Sequence, residues 1–148
     1  MSSETAKFQC VVITPQGTIV NCSAISALMP AHDGYVGILA YHMPFFCKLG
    51  LGLMRITSAE STSVEQIETT ILLDGGFAMV SSNVLTVIAS AAVSPAHTKN
   101  EKIRQDIDAL RKSAADNAAQ PECRLHDRHK ALLLEKLLES PAAGRNKE

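Results

Sequence analysis

The chain has 148 residues, of which 46% are hydrophobic, and a formal net charge of -1. This composition excludes a basic nucleic-acid-binding protein and an acidic disordered chain, and the length allows one well-buried domain with an appendage. No apolar run reaches the roughly 18 residues that a membrane-spanning helix needs. The first residues, MSSETAKFQC, lack the basic start and apolar segment of a signal peptide, so we expect a cytosol-like compartment in which the four cysteines stay reduced.

The first part of the chain has the pattern of β-strands. Apolar side chains recur at every second position in FQCVVIT, residues 8–14, and in TIVNCSAISALM, residues 18–29, as expected where one face of a strand is buried. Two further segments, IETTILL at 67–73 and NVLTVIASAAV at 83–93, are rich in β-branched residues, which favour strands.

Two turns are predicted between these strands. The glycines of Asp74-Gly75-Gly76 favour a turn, and the polar segment Ser81–Asn83 lies between two apolar runs, the usual place for a hairpin turn. Short strands at this spacing, with no helical period between them, predict a β-sandwich or flattened barrel.

The last part of the chain has the pattern of two amphipathic helices. Ser94-Pro95 offers an N-cap followed by proline, and Thr98 with Glu101 offers a capping box. An apolar stripe at helical spacing follows, formed by Ile103, Ile107, Leu110 and Ala114. A second helix, from Glu122 to about Glu139, carries Leu125, Leu132, Leu133, Leu137 and Leu138. The pattern predicts an antiparallel two-helix hairpin after the β-sandwich, giving a β + α fold.

Charge divides the chain at the same place. Residues 1–96 contain three Lys and Arg against six acids, whereas residues 97–148 contain eleven against nine. Every aromatic residue lies in the first part. We therefore predict two domains, 1–96 and 97–148. Because two helices of this size bury little surface by themselves, we expect the second domain to be mobile and to need support from the first or from a partner.

Two clusters have residue types that can bind metal. His32, Asp33 and His42 are the first, but side chains on a turn splay apart and the β part offers no convincing fourth ligand. Cys123, His126 and His129 are the second, and positions 123 and 129 diverge around a helix. The interpretation favoured for the first cluster is a turn with a structural histidine. A small metal-dependent enzyme using His32, Asp33 and His42 is kept as an alternative.

Motifs for other chemistry are absent from the sequence. There is no G-x-x-x-x-G-K-[ST] phosphate loop and no G-x-S-x-G nucleophile motif, and Gly50-Leu51-Gly52-Leu53 lacks the third glycine of a dinucleotide fingerprint. Basic residues are mixed with acidic ones along the chain, so no nucleic-acid groove is predicted. The sequence predicts a protein that is not an enzyme by itself and that needs no metal or cofactor.

One segment resembles a known family signature. DGYVGILAYHMPFFCKLGLGLMRI, residues 33–56, is similar to the ε subunit family of bacterial F-type ATP synthase, equivalent to the mitochondrial δ subunit. The matching elements are Asp33-Gly34, Gly37-Ile38-Leu39, His42-Met43-Pro44-Phe45-Phe46 and Gly52-Leu53-Met54-Arg55-Ile56. The family usually has Pro-Gly before the histidine, where this chain has Ala40-Tyr41, which puts the local turn in question.

The resemblance implies a function and partners. The family is a non-catalytic part of the central rotor stalk, which couples c-ring rotation to ATP synthesis, and its helical hairpin restrains ATP hydrolysis by contact with the catalytic α and β subunits. It implies that Asp33, Gly34 and Tyr35 face the c-ring and that His42 and Pro44 contact the γ subunit. It also implies a peripheral position at the cytoplasmic face of the bacterial inner membrane, with no span of its own.

Some members of the family bind ATP on the hairpin through Ile-Asp-x-x-Arg-Ala. This chain has Ile107, Asp108 and Arg111 in that order, then Lys112 in place of alanine. Arg124 and Arg128 lie on the second helix. The resemblance therefore implies a nucleotide site, whereas the residues alone fit an apolar stripe beside an ordinary helical ion pair. A free-standing interaction β-sandwich with a coiled-coil tail is the remaining alternative.

Overall fold

The structure, a computed structural model, describes residues 5–59, 66–96, 98–116 and 120–139. Within these residues, six β-strands precede two α-helices. The elements are β1 (Phe8–Thr14), β2 (Gly17–Ala31), β3 (Gly34–Leu39), β4 (Phe45–Ala59), β5 (Gln66–Ser81), β6 (Val84–Val93), α1 (Asn100–Asp116) and α2 (Pro121–Glu139). The predicted order, a β domain followed by two helices, is confirmed.

The chain divides into two compact units, the first ending at Ala92 and the second beginning at Val93. The predicted boundary between residues 96 and 97 lies a few residues farther along the chain. The β unit therefore ends with its last strand, and the segment that leads into α1 belongs to the helical unit.

The strands form one sheet in the order β1-β6-β5-β4-β2-β3, and β1 also pairs with β2. Because β1 has β6 on one edge and β2 on the other, the sheet closes on itself, as in a flattened barrel or sandwich. The β1–β6 pairing is parallel and the β1–β2, β2–β4 and β4–β5 pairings are antiparallel. The prediction of short strands is wrong for β2, β4 and β5, which have 15, 15 and 16 residues.

The core of the β unit is formed by alternate positions of these strands. On β1 the buried residues Phe8, Cys10 and Val12 follow the predicted period of two. The largest buried side chains around them are Met29, Ile38, Leu49, Met54, Ile56, Ile71, Leu73 and Leu85. Burial of one Leu or Ile side chain stabilises a fold by roughly 1.5–3 kcal/mol, so this cluster gives the β unit a core of its own.

The turn predicted at Asp74-Gly75-Gly76 is wrong, because these residues lie inside β5. Asp74 and Gly76 pair in regular register with Leu51 and Leu49 of β4. Gly75 and Gly76 have φ angles of 71° and 118°, so the strand bends without ending. A Cβ on Gly76 would lie 2.0 Å from the Ile88 carbonyl oxygen. Glycine is required at position 76 because the β6 backbone approaches it closely, and not because the chain turns there.

The turn predicted at Ser81–Asn83 is confirmed. β5 ends at Ser81 and β6 begins at Val84, which leaves Ser82 and Asn83 as a two-residue turn. Their φ angles are 51° and 60°, as a type I′ hairpin turn requires.

Of the two predicted helix-start signals, Ser94-Pro95 is wrong, whereas the Thr98–Glu101 box lies at the observed start of the helix. α1 begins at Asn100, and the amides of Lys102 and Ile103 donate to the Lys99 carbonyl at 2.9 and 3.2 Å. The Ser94 carbonyl instead accepts from the Thr98 amide at 3.0 Å. This contact closes a separate turn ahead of the helix.

The two helices share a small apolar core. Ile103, Ile107 and Ala114 of the predicted stripe are buried. The buried residues of α2 are Ala131, Leu133, Leu134 and Leu137. The leucine list of the second helix is wrong in part, because Leu125 and Leu132 are 64% and 58% exposed. Neither helix, over its described residues, is long and apolar enough to cross a membrane.

Candidate docking surfaces

The turn between β2 and β3 is an exposed, sharply bent segment. Ala31 and Gly34 pair at its base, so His32 and Asp33 form its two-residue tip. Gly34 has a φ of 144°, a conformation that glycine adopts without strain. The His32 amide donates to the Lys48 carbonyl of β4 at 2.9 Å. The predicted residues Asp33, Gly34 and Tyr35 thus lie together and are all exposed.

A glycine on another strand leaves open the space that Tyr35 occupies beside this turn. Tyr35 pairs with Pro30 across β2 and β3. A Cβ on Gly52 of β4 would lie 2.6 Å from the Pro30 Cβ and 2.9 Å from the Tyr35 hydroxyl. Because only glycine leaves this space open, Gly52 allows the tyrosine to lie where it does. Gly52 is a supporting residue whose role sequence reasoning did not identify.

The segment between β3 and β4, residues 40–44, forms a second surface that we call the docking loop. Tyr41 has a φ of 61°, which is uncommon for an aromatic residue and strained. The His42 amide donates to the Leu39 carbonyl at 3.2 Å. A glycine, which the family usually has at this position, would adopt this φ without strain. The backbone here therefore has the conformation that suits glycine, although this chain has tyrosine at position 41.

His42 is half-buried and is oriented by its neighbours. Its Nδ1 lies 2.7 Å from the Met43 carbonyl oxygen, an arrangement in which the ring nitrogen donates. Its ring meets Phe45 edge-on, with centroids 5.9 Å apart and planes at 73°. Pro44, the other predicted contact residue, is exposed in the same loop.

A set of large apolar side chains lies on the outer face of the sheet beyond this loop. We call it the apolar patch, formed by Phe46, Phe77, Met79 and Ile88. Phe46 pairs with Met79 across β4 and β5 and stacks on Phe77 at 5.6 Å between centroids. Phe77 lies five residues before Ser82, and Ile88 lies five residues after Asn83. In a hairpin with this two-residue turn, the two side chains therefore lie opposite each other on β5 and β6. Contiguous exposed apolar surface of this kind marks interaction sites.

Sequence reasoning missed the apolar patch, although a signal was present. In FAMVSSN, residues 77–83, both the buried positions Ala78 and Val80 and the outward positions Phe77 and Met79 are apolar. A strand with water on one face usually alternates apolar with polar residues. The loss of that alternation is the signal that this strand end exposes apolar side chains on its outer face.

The alternative metal site is not formed. Among the described residues, no group of three or more His, Cys, Asp or Glu side chains is placed to hold a metal ion. His32 and Asp33 lie at an exposed turn tip, and the Nδ1 of His42 is occupied by the Met43 carbonyl. The three side chains that the metal-dependent alternative needs are thus not grouped among the described residues.

Three of the four free cysteines, Cys10, Cys22 and Cys47, have little tendency to ionise. Cys10 and Cys22 are direct partners across β1 and β2, and all four cysteines are unbridged. Burial, together with the nearby Cys22, raises the pKa of Cys10 to about 12. Burial also raises the pKa of Cys22 and of Cys47. Because the thiolate is the nucleophile, these side chains are suited to packing and not to catalysis.

The helical unit holds the residues predicted to bind a nucleotide. Arg111 and Arg128 line a cleft of about 380 Å³ between the helices, together with Glu135. Glu135 pairs with Arg111. Asp108 is exposed and Ile107 is buried. The Arg124 Nε is buried and has no hydrogen-bond partner among the described residues.

Comparison with protein families gives a match over more than half of the chain. Residues 7–95 match the family described as ATP synthase, Delta/Epsilon chain, beta-sandwich domain. The ATP synthase epsilon chain of Symbiobacterium thermophilum is 31% identical over 124 residues, which cover 83% of this chain and 77% of that protein. The chloroplastic epsilon chain of Cyanidioschyzon merolae is 29% identical over 79% of this chain and 84% of its own length.

Two solved structures share the fold. A chain of the Euglena gracilis mitochondrial ATP synthase superimposes with a TM-score of 0.61 at 19% identity, covering 90% of this chain and 80% of that one. A chain from the central stalk and c-ring structure of the Tetrahymena thermophila mitochondrial ATP synthase gives a TM-score of 0.54 at 14% identity, covering 90% and 98%. At these identities the likeness concerns the fold alone.

Proposed function

Since the chain belongs to the ATP synthase delta/epsilon chain family, we propose that it acts as the ε subunit in the central stalk of an F-type ATP synthase. The observation that carries this proposal is the family match over residues 7–95. The 31% identity to a bacterial epsilon chain over 83% of this chain supports it. The chain is then a part of a membrane-associated complex.

In this role the chain transmits rotation and does no chemistry itself. It joins the γ shaft to the c-ring, so that proton-driven rotation of the ring reaches the catalytic α and β subunits. Two features support a docking role: an exposed turn with a fixed backbone path, and a separate apolar patch that leaves large side chains uncovered. Rigid backbone and exposed apolar anchors are what a torque-bearing interface requires.

The β2–β3 turn is the proposed contact with the c-ring. Asp33, Gly34 and Tyr35 lie together at its exposed end. The absence of a side chain on Gly52 leaves the space that Tyr35 occupies beside Pro30, and the backbone bond from His32 to β4 holds the tip. A turn fixed in this way can press against a neighbouring subunit without folding back.

The docking loop and the apolar patch are the proposed contact with γ. His42 and Pro44 belong to the loop, and Phe46 continues the chain directly into the patch. An interface core of aromatic and methionine side chains, with few charges, is the usual composition of a stable protein contact. The proposed γ contact thus gains the apolar patch in addition to the two predicted residues.

The helical unit is the proposed regulatory element. In that role it contacts the α and β subunits and restrains ATP hydrolysis, and its net charge of +2 over residues 97–148 favours an acidic partner surface. The two helices are held together by the small apolar core and by two polar contacts. One joins Ser113 to Asp127 at 3.0 Å, and the other joins Arg111 to Glu135. The proposed location is the cytoplasmic face of the bacterial inner membrane, as a peripheral subunit.

Co-purification tests the assignment. The chain is co-expressed with an affinity-tagged γ subunit from the same source, and the eluate is separated by size-exclusion chromatography. We expect a stoichiometric complex of the two chains, which then binds isolated c-ring. Recovery of γ alone would contradict the proposed function and would favour the free-standing interaction sandwich.

A further inference from the structure

We propose that Asn83 is a positioning residue that holds the docking loop in its binding conformation. Asn83 lies in the turn between β5 and β6, outside the loop and outside the apolar patch. This inference rests on the proposed function, because it concerns how the γ-binding surface is shaped.

The side chain of Asn83 joins two segments that are distant in sequence. Its Oδ1 accepts a hydrogen bond from the Tyr41 amide at 2.7 Å. Its Nδ2 donates to the Lys7 carbonyl, ahead of β1, at 2.8 Å. Its backbone carbonyl accepts from the Gln9 amide at 3.1 Å. One residue therefore ties the loop to the start of β1 and to the β5–β6 hairpin.

The bond to Tyr41 acts on the strained residue of the loop. Tyr41 has a φ of 61°, a conformation that a bulky side chain keeps only where its surroundings hold it. The hydrogen bond from the Tyr41 amide fixes the orientation of the Ala40–Tyr41 peptide group. The next residue is His42, so the direction of the histidine ring and of Pro44 depends on that peptide.

Asparagine suits this position better than any other residue type. It tolerates the left-handed conformation, with a φ of 60° at this site, which β-branched and bulky residues do not. Its amide offers an acceptor to Tyr41 and a donor to Lys7 at the same time. Glycine would keep the backbone conformation but lose both bonds, and aspartate would keep only the acceptor.

The test compares Asn83→Gly with the wild-type full-length chain in two measurements. Amide hydrogen exchange reports the Tyr41 N–H directly, and binding to immobilised γ reports the shape of the loop. We expect the Tyr41 amide to exchange faster in Asn83→Gly and γ binding to weaken by up to about tenfold, as the loss of one or two positioning hydrogen bonds allows. The melting temperature should change little, because the turn keeps its backbone conformation.

Two further variants separate positioning from turn stability. Ser82→Gly changes the same turn, with a φ of 51°, and should leave both Tyr41 exchange and γ binding unchanged. Asn83→Asp retains the acceptor for Tyr41 and should restore most of the binding lost in Asn83→Gly. Unchanged Tyr41 exchange in Asn83→Gly, or equal binding by Asn83→Gly and wild type, would overturn the proposal. If the wild-type chain does not bind γ, the proposed function fails, and Tyr41 exchange still decides whether Asn83 positions the loop.

Discussion

Phe46 and Phe77 stack on the outer face of the sheet, with ring centroids 5.6 Å apart and only 14° between their planes. The two side chains are 66% and 49% exposed, so the pair stands outside the core. Aromatic pairs contribute about 0.5–1.5 kcal/mol beyond the area that they bury, which orders both rings before a partner arrives. A preordered apolar surface loses less side-chain entropy on binding than two independent rings would.

Replacement of Phe77 by serine should weaken γ binding much more than it weakens the fold. We expect a loss of affinity on the order of tenfold or more, since buried aromatic anchors dominate interface energies, with a small change in melting temperature. Pull-down and thermal melting measure the two effects. Glu68→Ser is the control on the same strand, because its ion pair with Arg55 is long, at 3.8 Å, and exposed. Equal losses of affinity in both variants would contradict a specific role for the patch.

His42→Asp should weaken assembly with γ without unfolding the β unit. A carboxylate at position 42 would lose its hydration when the docking loop packs against an apolar partner. This desolvation weakens binding, because no cationic side chain of the loop can pair with the new charge. The edge-on contact with Phe45 would also be lost. His32→Asp is the matched control, since it introduces the same change at the exposed turn tip. A collapsed melt in His42→Asp, or unaltered γ binding, would show the prediction to be wrong.

Gly76→Ala should destabilise the β unit strongly. The added Cβ would lie 2.0 Å from the Ile88 carbonyl oxygen, at a residue whose φ is 118°, so β6 must move away from β5. Overpacking of this kind costs about 1–3 kcal/mol and strained backbone a similar amount. Gly37→Ala is the control, because a Cβ there meets nothing within 4 Å. Urea unfolding of both variants measures the difference, and equal midpoints would contradict the argument.

Local patterns in the sequence predicted the strands and helices because burial repeats with the period of each element. The stripe of α1 follows that rule. In α2, Leu125 and Leu132 are seven positions apart and share one face, whereas the buried face is formed by Leu133, Leu134 and Leu137. A list of apolar residues does not say which face is covered.

Contacts between distant segments explain the features that the sequence did not predict. Asn83 forms hydrogen bonds with Tyr41 and Lys7, which are 42 and 76 positions away in the sequence. Gly52 is required because Pro30 and Tyr35, on two other strands, approach it closely. No local pattern carries such information. The proposed contact residues His42 and Pro44 are predicted by family resemblance, whereas only the strand register shows that the side chains of the apolar patch share one face.

Removal of residues 97–148 should leave a folded β unit that still assembles with γ. Its core cluster lies entirely between Phe8 and Ala89, and both proposed docking surfaces belong to it. If the helices restrain hydrolysis, the truncated complex with α, β and γ should hydrolyse ATP faster than the intact one. Circular dichroism, γ pull-down and steady-state ATPase rates measure these outcomes. Aggregation of residues 1–96 would contradict the domain prediction, and an unaltered rate would remove the regulatory proposal alone.

ATP should bind the helical unit weakly, through the two arginines of the cleft and through Asp108, which is exposed on α1 and does not line the cleft. Arg111 and Arg128 line the same cleft, where guanidinium groups can grip phosphate oxygens in forked geometry. Glu135 already pairs with Arg111, so a phosphate must displace a carboxylate, and we expect affinity only in the millimolar range. If ATP binds preferentially to the packed helix pair seen here, it stabilises that conformation. ATP would then oppose the proposed restraint of ATP hydrolysis by the helical unit.

Calorimetric titration of ATP into the full-length chain tests this nucleotide site. The Asp108→Ala, Arg111→Ala double variant should lose the heat of binding. Arg104→Ala, which removes an exposed arginine of α1 outside the cleft, should retain it. Glu135→Gln should bind more tightly than wild type, because it removes the charge that competes for Arg111. Absence of heat at millimolar ATP, or an equal signal from the double variant, would leave Asp108 and Arg111 as ordinary helix surface, with the Arg111–Glu135 pair serving only to join the two helices.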